Sequence, residues 1–338
     1  MPRTVSQEYS ALLHYTTASG LVGIIESGTL WASHARFLND ATELTHFFDE
    51  RMPKLAKDPI REFVENKRTD PSTESWIQSE GGMDAVVNKT VSQVVDMLRT
   101  ATLAFHQPYI FSMSGVKRDG GTTSARLEKH GLLSQWRGYG GDGGYAIVLD
   151  ADRFENLLLQ EFKTLHYQFQ YFGDVYYYGS ELKKQPATEE VAKFEENVKR
   201  GVVAVALGQN TEIVPQFYES VASLPCIYKH WGFYEEQEVR VVAIPPTSEV
   251  AADATAAGET LPLPAVEFFQ RGGAPVPYLA LFETSTGSKP SGRLPIKRVI
   301  VGPHRNKGQR VQAVKHLLSA NGYVDVEVVW SDIPYLGA

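Results

Sequence analysis

The chain has 338 residues, of which 43% are hydrophobic and 22% charged, and its net charge at pH 7 is −7. These proportions are those of a globular protein and exclude a chain that is disordered throughout. The negative charge argues against broad, non-specific binding of nucleic acid, because an acidic surface repels phosphates.

Cysteine content and hydropathy indicate the compartment. Cys226 is the single cysteine, so no intramolecular disulfide can form, and its apolar neighbours predict a buried, inert thiol. No stretch approaches the roughly 20 apolar residues that a membrane-spanning helix needs, and the first residues lack the apolar run of a signal peptide. We therefore expect a cytoplasmic protein without a membrane partner.

Short apolar stretches, typical of strands, alternate along the chain with segments of helical periodicity, and this pattern predicts an α+β fold. Residues 12–15 predict a first strand, and the helix after it ends at Gly28, where a C-capping glycine is expected. Residues 29–32 predict a second strand. Residues 42–57 and 86–105 predict helices.

Later in the chain, short apolar runs predict buried strands at 109–114, 145–149 and 239–244. Segments rich in turn formers or charge, without periodicity, predict surface loops at 58–82, 115–131 and 245–265.

The domain organisation follows from these elements. We predict a single α+β domain over residues 1–338, with helical insertions near 42–105 and 186–222. Residues 296–330 predict a C-terminal strand–helix–strand unit.

No metal site is expected, because the nine histidines are scattered and a single cysteine cannot build a cysteine-rich zinc site. One stretch suited to ligand binding is His14-Tyr15-Thr16, at the end of the first strand. The ring nitrogens of His14 can hydrogen-bond a ligand, and Tyr15 offers a flat face for stacking. A hydrogen-bonded strand histidine is the simpler explanation.

The second stretch is 134–140. Its rings, Trp136 and Tyr139, can stack on a planar ligand, while Arg137 can bind a phosphate or carboxylate with two hydrogen bonds. The alternative is structural: Trp136 packs in the core, and Arg137 pairs with an acidic residue.

The third stretch is 235–240. On a strand, Glu236 and Glu238 would share one face, and two neighbouring carboxylates repel, which tends to raise one pKa. The alternative is a solvated strand entry in which Arg240 is the counter-ion.

Several short motifs, in their order along the chain, resemble a bacterial family described as domain of unknown function 2971. They are HYT (14–16), FLND (37–40), FSMS (111–114), WRGYG (136–140), KHWGFYEEQEVR (229–240), VGPHRN (301–306) and IPY (333–335).

A more distant pattern is similar to the ADP-ribosyltransferase superfamily. Its elements are a His on a first strand, a Ser-bearing second strand and an E-x-E before a late strand, here His14, Ser112 within 111–114, and 236–238. This resemblance implies a split, mostly antiparallel sheet flanked by helices.

The same resemblance implies an enzyme that uses NAD as a substrate, without a metal, to transfer ADP-ribose or hydrolyse NAD, as many bacterial toxins and antiphage defence effectors do. His14 would bind the nicotinamide ribose, and Thr16 would help to orient it. Tyr139 or Tyr145 would stack on nicotinamide, and Glu238 would stabilise the oxocarbenium-like centre.

In this scheme, Arg137 could bind the pyrophosphate of NAD. Glu235 and Glu236 remain alternatives for the catalytic glutamate. The acceptor, protein or nucleic acid, and the oligomeric state stay open.

Two other classes of function remain. One is a non-catalytic module that binds a nucleotide or another ligand and has no turnover. The other is a nucleic-acid-processing protein, suggested by basic side chains near the C-terminus: Arg298, His304, Arg305, Lys307, Arg310 and Lys315. A solvated helix surface explains these basic residues equally well.

Overall fold

The computed structural model describes residues 4–38, 42–105, 108–139, 143–179, 187–206, 214–257, 262–283 and 293–335. It divides into two compact units, each built from separate segments of the chain. The first unit comprises Met1–His34, Tyr109–Val175 and Gly232–Ala338. The second unit comprises Ala35–Pro108 and Tyr176–Trp231.

Strands make up the centre of the first unit and a short pair in the second. They are β1 Tyr9–Thr16, β2 Leu30–His34, β3 Tyr109–Lys117, β4 Tyr145–Asp150, β5 Phe169–Asp174, β6 Tyr176–Tyr178, β7 Tyr228–His230, β8 Glu238–Ile244, β9 Val266–Arg271, β10 Ala274–Leu281, β11 Ile296–Val301 and β12 Glu327–Trp330.

The helices are distributed over both units. They are α1 Val5–Glu8, α2 Ala18–Ser27, α3 Thr42–His46, α4 Met52–Asn66, α5 Pro71–Ser79, α6 Met83–Phe105, α7 Gly121–His130, α8 Leu133–Tyr139, α9 Ala151–Thr164, α10 Glu189–Ala206, α11 Val214–Ile227, α12 Ser248–Ala256 and α13 Lys307–Ala320. A π-helix covers Phe47–Arg51, and 3-10 helices cover Ala35–Phe37 and Trp231–Glu236.

The first unit is built on one sheet with the order β12-β11-β4-β1-β3-β2-β10-β9, and β8 followed by β5 extends from β3. Neighbouring strands are antiparallel except β11 and β12, which are parallel and joined through α13. The predicted α+β class, with a mostly antiparallel sheet flanked by helices, is confirmed.

Two strands, β1 and β2, share one edge of β3, and β8 occupies the other edge. β8 pairs with β3 from Tyr109 to Ser114, while on the opposite edge β1 pairs only as far as Ser114 and β2 pairs only with Tyr109 and Ile110. Within the described residues, no strand therefore pairs with the edge of β3 between Phe111 and Met113. We call this interval the β1–β2 gap.

The two faces of the sheet are covered differently. On one, the α2 face, Leu12 and Phe111 pack with apolar residues of α2, α9 and α13. On the other, the Trp136 face, Leu13 and Tyr15 pack around the buried ring of Trp136. Alternate residues of a strand point to opposite faces, which divides β1 between the two cores.

Parts of the three predicted loops are helical, and those predictions were wrong. α4 continues to Asn66 because its apolar face is buried, α5 begins after the Asp70 cap, α7 covers Gly121–His130, and α12 covers Ser248–Ala256. The one buried residue of α5 is Ile77, so its apolar stripe is short. α7 buries no residue, so it has no apolar stripe to detect.

The second unit contains α3 to α6, α10 and α11, drawn from both predicted helical insertions. Its interior includes a charge cluster in which the carboxylate of Glu195 accepts from the Nε of Arg51 at 2.7 Å and from the hydroxyl of Tyr228. Cys226 is fully buried, as predicted.

Candidate functional site

His14 lies in the β1–β2 gap, one residue beyond the last pair of the β1–β3 ladder. Its Nδ1 is 3.0 Å from the carbonyl oxygen of Ser112, which has no strand partner on this edge. A carbonyl oxygen only accepts, so Nδ1 carries the proton and donates. The Nε2 atom is then the basic, accepting nitrogen of the ring.

The surroundings of His14 keep this ring neutral. Its ring is stacked on Phe111, with centroids 4.3 Å apart and planes at 27°. Burial lowers the pKa of His14 from 6.5 to about 4, against the opposing effect of the bond to Ser112. At neutral pH, His14 is therefore a fixed acceptor rather than a cation.

Tyr145 and Thr16 share the α2 face with His14. Thr16 is opposite Tyr145 in the β1–β4 ladder, and Thr16 lies two residues beyond His14 on the same strand. The Thr16 hydroxyl occupies the space beside Gly20, where a Cβ would lie 2.1 Å from Oγ1. The absence of a side chain at Gly20 thus holds the start of α2 against the end of β1.

Arg310 joins this group from α13. Its guanidinium carbon lies 6.0 Å from the centroid of the Tyr145 ring, a cation–π distance. Gly143 adopts φ +91°, and a Cβ there would lie 3.1 Å from Nη1 of Arg310. In the sequence, Arg310 is one of several basic residues near the C-terminus, and no local signal connects it with Tyr145, because only the docking of α13 brings them together.

Tyr15 and Trp136 belong to the opposite, Trp136 face. Their rings meet edge to face at 5.0 Å, and Trp136 is 1% exposed. The Tyr15 hydroxyl accepts from the amide of Leu132 at 2.8 Å, and Nε1 of Trp136 donates to the carbonyl of His130 at 2.9 Å. Both rings therefore serve the packing of the stretch before α8.

Arg137 and Tyr139 are exposed on α8. The Arg137 guanidinium lies over the ring of Tyr335 at 5.7 Å, and Tyr139 is 41% exposed. Gly140, the last residue of the same motif, lies outside the described residues. Arg137 thus packs on an aromatic ring, whereas the alternative interpretation of this stretch paired it with an acidic residue.

Glu238 and Arg240 form a buried ion pair on β8. Nε and Nη2 of Arg240 donate to the two carboxylate oxygens of Glu238 at 2.7 and 3.2 Å. Their side chains are 6% and 3% exposed. Arg240 is thus the counter-ion that the sequence suggested, but the pair is buried and not at a solvated strand entry.

The ladder decides which face Glu238 occupies. Ser114 is opposite Glu238 on one side and opposite Leu13 on the other, so all three point to the Trp136 face. Ser112 and Arg240 are opposite each other and share that face. His14 follows Leu13 and points to the α2 face, so the structure brings the strands of His14 and Glu238 together without bringing their side chains to one face.

Glu236 does not lie on the same strand as Glu238. It ends the 3-10 helix Trp231–Glu236, and Gln237 takes φ +44° before β8 begins. The expectation that Glu236 and Glu238 share a strand face was wrong because the backbone turns between them. Glu235 is exposed.

Some of the basic side chains near the C-terminus pair within the protein. Nε of Arg298 lies 2.7 Å from a carboxylate oxygen of Glu327, and Nζ of Lys307 lies 3.5 Å from one of Asp332. Such pairing reduces the positive charge that this region offers to phosphates.

None of the helices in the described ranges is long and apolar enough to cross a membrane. The described residues also contain no group of three or more His, Cys, Asp or Glu side chains placed to hold a metal ion.

Residues 135–241 match a family model described as "Protein of unknown function (DUF2971)". This confirms the resemblance to that family over the stretch from α8 to β8, which contains Trp136, Tyr145 and Glu238 but not His14. No curated protein and no solved structure matches the chain.

Proposed function

We propose that the protein binds NAD beside the β1–β2 gap and breaks the bond between its ribose and nicotinamide, so that ADP-ribose passes to an acceptor or to water and nicotinamide leaves, as in an ADP-ribosyltransferase-like enzyme. The observation that carries this proposal is the state of His14: a neutral ring whose Nδ1–H is held by Ser112, leaving Nε2 as a directed acceptor. A ribose hydroxyl is a suitable donor to such a nitrogen.

The neighbours of His14 on the α2 face suit the rest of a dinucleotide. Thr16 and Tyr145 supply a hydroxyl and an aromatic ring on adjacent strands. Arg310, over the Tyr145 ring, supplies a guanidinium that suits phosphate oxygens. Arg310 would thus contact the phosphates of NAD, the same role that the resemblance suggested for Arg137.

The order of the strands also supports an ADP-ribosyltransferase-like fold. β1 with His14 and β8 with Glu238 flank β3, which carries Ser112, and the sheet splits at β3. In this scheme Glu238 stabilises the positive charge that develops on the ribose as nicotinamide leaves. For that role the ligand must reach the Trp136 face through the gap, or Glu238 must leave Arg240.

A second candidate is a nucleotide-binding module without turnover. The ion pair of Glu238 with Arg240 on the opposite face from His14 favours it, because a carboxylate held by two hydrogen bonds is committed to its partner. Both candidates share the binding site at His14 and differ only in the use of Glu238.

One experiment separates the candidates. The wild-type protein, His14→Asn and Glu238→Gln are incubated with NAD, alone and with protein or nucleic-acid acceptors, and nicotinamide and ADP-ribose products are measured by mass spectrometry. Release of nicotinamide by wild type that is lost in both variants supports the enzyme. Calorimetric NAD binding by wild type without any consumption supports the binding module.

His14→Asn keeps an N–H where Nδ1 donates to Ser112 and removes the accepting Nε2, so it tests binding without removing the structural hydrogen bond. If wild type neither binds nor consumes NAD, both candidates fail together.

A further inference from the structure

The strand β9 is the last strand at its end of the sheet and is mostly exposed. Phe268 is 67% exposed and Val266 44%, and both point to the same side of the strand. Within the described residues, β9 pairs only with β10, so its outer edge is open. An open edge that carries exposed apolar side chains is a surface on which another strand can add.

The register of β9 with β10 fixes which backbone groups point outwards. The amide of Ala280 donates to the carbonyl of Ala265 at 3.4 Å, which makes Val266 and Leu279 a non-hydrogen-bonded pair. The same alternation makes Phe268 opposite Pro277 a non-hydrogen-bonded pair.

Gln270 opposite Pro275 continues this series. Residues at non-hydrogen-bonded positions direct their N–H and C=O away from the partner strand. Val266, Phe268 and Gln270 therefore offer their backbone donors and acceptors to the open edge. Pro275 and Pro277 have no backbone N–H, and both occupy positions of β10 from which no hydrogen bond to β9 is donated.

The sequence of β9 is complementary to itself when read antiparallel. With Phe269 opposite its own copy, Glu267 of each strand lies directly opposite Arg271 of the other. Directly opposite residues share a face, so both ion pairs form on the side where Arg271 packs over Phe269 in one chain. Phe268 then lies opposite Gln270 and loses much of its exposure.

We propose that two copies of this chain pair through β9, edge to edge and antiparallel about Phe269. The arrangement is a two-fold interface in which each strand supplies the same residues. A single added strand pair buries less than the roughly 1,200 Å² of a standard interface, so the dimer is a weak one in the micromolar range.

Sedimentation velocity over a concentration series tests this pairing. Wild type shows a dimer that forms with rising concentration. Arg271→Glu and Glu267→Arg each place like charges opposite each other and weaken the dimer about tenfold or more. The double reversal Glu267→Arg with Arg271→Glu restores the attraction and recovers most of the wild-type affinity.

Lys315→Glu is the matched control for Arg271→Glu, because it makes the same charge change on an exposed position of α13. It leaves the dimer unchanged, and thermal melting checks that every variant is folded. A wild type that stays monomeric up to about 100 μM, where even a weak micromolar dimer would form, overturns the proposal. Failure of the double reversal to recover association overturns the register.

A cysteine pair checks the register independently. Phe269→Cys places two thiols directly opposite at a non-hydrogen-bonded position, where the Cα atoms of a strand pair are about 4.5 Å apart and a disulfide can form. Oxidation then gives a covalent dimer. Gln270→Cys, opposite Phe268 in this register, does not cross-link to itself, and efficient cross-linking there contradicts the proposed alignment.

Discussion

The imidazole of His14 and the carboxylate of Glu238 lie on opposite faces of the sheet, although their strands flank the same strand β3. His14 is on the α2 face against Phe111, and Glu238 is on the Trp136 face, paired with Arg240. A ligand that uses both must pass through the β1–β2 gap. Under the proposed function, this relationship would make NAD binding and turnover separable.

Replacement of His14 should distinguish its structural and binding roles. His14→Asn retains a donor to the carbonyl of Ser112 and should lower the free energy of unfolding by less than about 1 kcal/mol, whereas His14→Ala leaves that carbonyl unpaired at a cost of about 1–3 kcal/mol. Both should lose NAD binding at least tenfold by calorimetry. Full NAD affinity in His14→Asn would contradict a role for Nε2.

The ion pair of Glu238 with Arg240 should be strongly coupled. Either Glu238→Ala or Arg240→Ala leaves one buried charge without its partner and should destabilise the protein by about 3 kcal/mol. The double variant should be clearly less destabilised than the sum of the two, which denaturant unfolding of all four proteins measures. Additive losses would mean that each group interacts mainly with other neighbours.

Glu161 on α9 should make stability depend on pH near neutrality. Its carboxylate is 7% exposed, accepts from the Tyr167 hydroxyl at 2.7 Å and from the amide of Phe282, and burial raises its pKa from 4.5 to about 7. The folded protein keeps this proton where the unfolded chain loses it. The stability that Glu161 contributes should therefore fall, by up to about 3 kcal/mol, as pH rises from 4.5 through 7.

Glu161→Gln removes this titration and keeps one acceptor oxygen, which suits the amide of Phe282, while its NH2 group can donate to the hydroxyl oxygen of Tyr167. Chemical denaturation at several pH values should show a more negative slope of stability against pH in wild type than in the variant. Equal slopes in the two proteins between pH 4.5 and 7 would show that Glu161 does not titrate as its burial implies.

His14 should act in the opposite direction at lower pH. Its pKa is lowered to about 4 in the folded protein, so the unfolded chain takes up a proton first as pH falls below 6.5. The stability that His14 contributes should then fall by roughly 2.5 kcal/mol between pH 6.5 and 4, and His14→Asn should lack this loss. Comparison with Glu161→Gln separates the two slopes, which partly cancel in wild type.

The rings of the Trp136 face should matter for stability and not for NAD. Tyr15→Phe removes the hydroxyl that accepts from the amide of Leu132, at a cost of about 1–2 kcal/mol. Trp136→Phe removes the donor to His130 and part of a fully packed side chain. A loss of NAD affinity in either variant at unchanged stability would place these rings in the binding site instead.

Local pattern was enough to predict the strands and several of the helices that hold the site. β1, β3, β4 and β8 each contain a short, largely apolar stretch, and the cap and C-terminal glycine of α2 are local signals. Helices with little buried apolar surface, such as α7, have no amphipathic stripe, so the sequence predicts loops in their place. Contacts with the rest of the fold stabilise these helices.

The sequence by itself determined the α+β class and the strand position of His14, and it offered Arg240 as a counter-ion for the glutamates before β8. Only the tertiary structure decided that His14 and Glu238 face apart, that Arg310 lies over Tyr145, and that Trp136 is core. Strand register and helix docking set these relationships, and both depend on contacts between residues far apart in the chain, which no local pattern encodes.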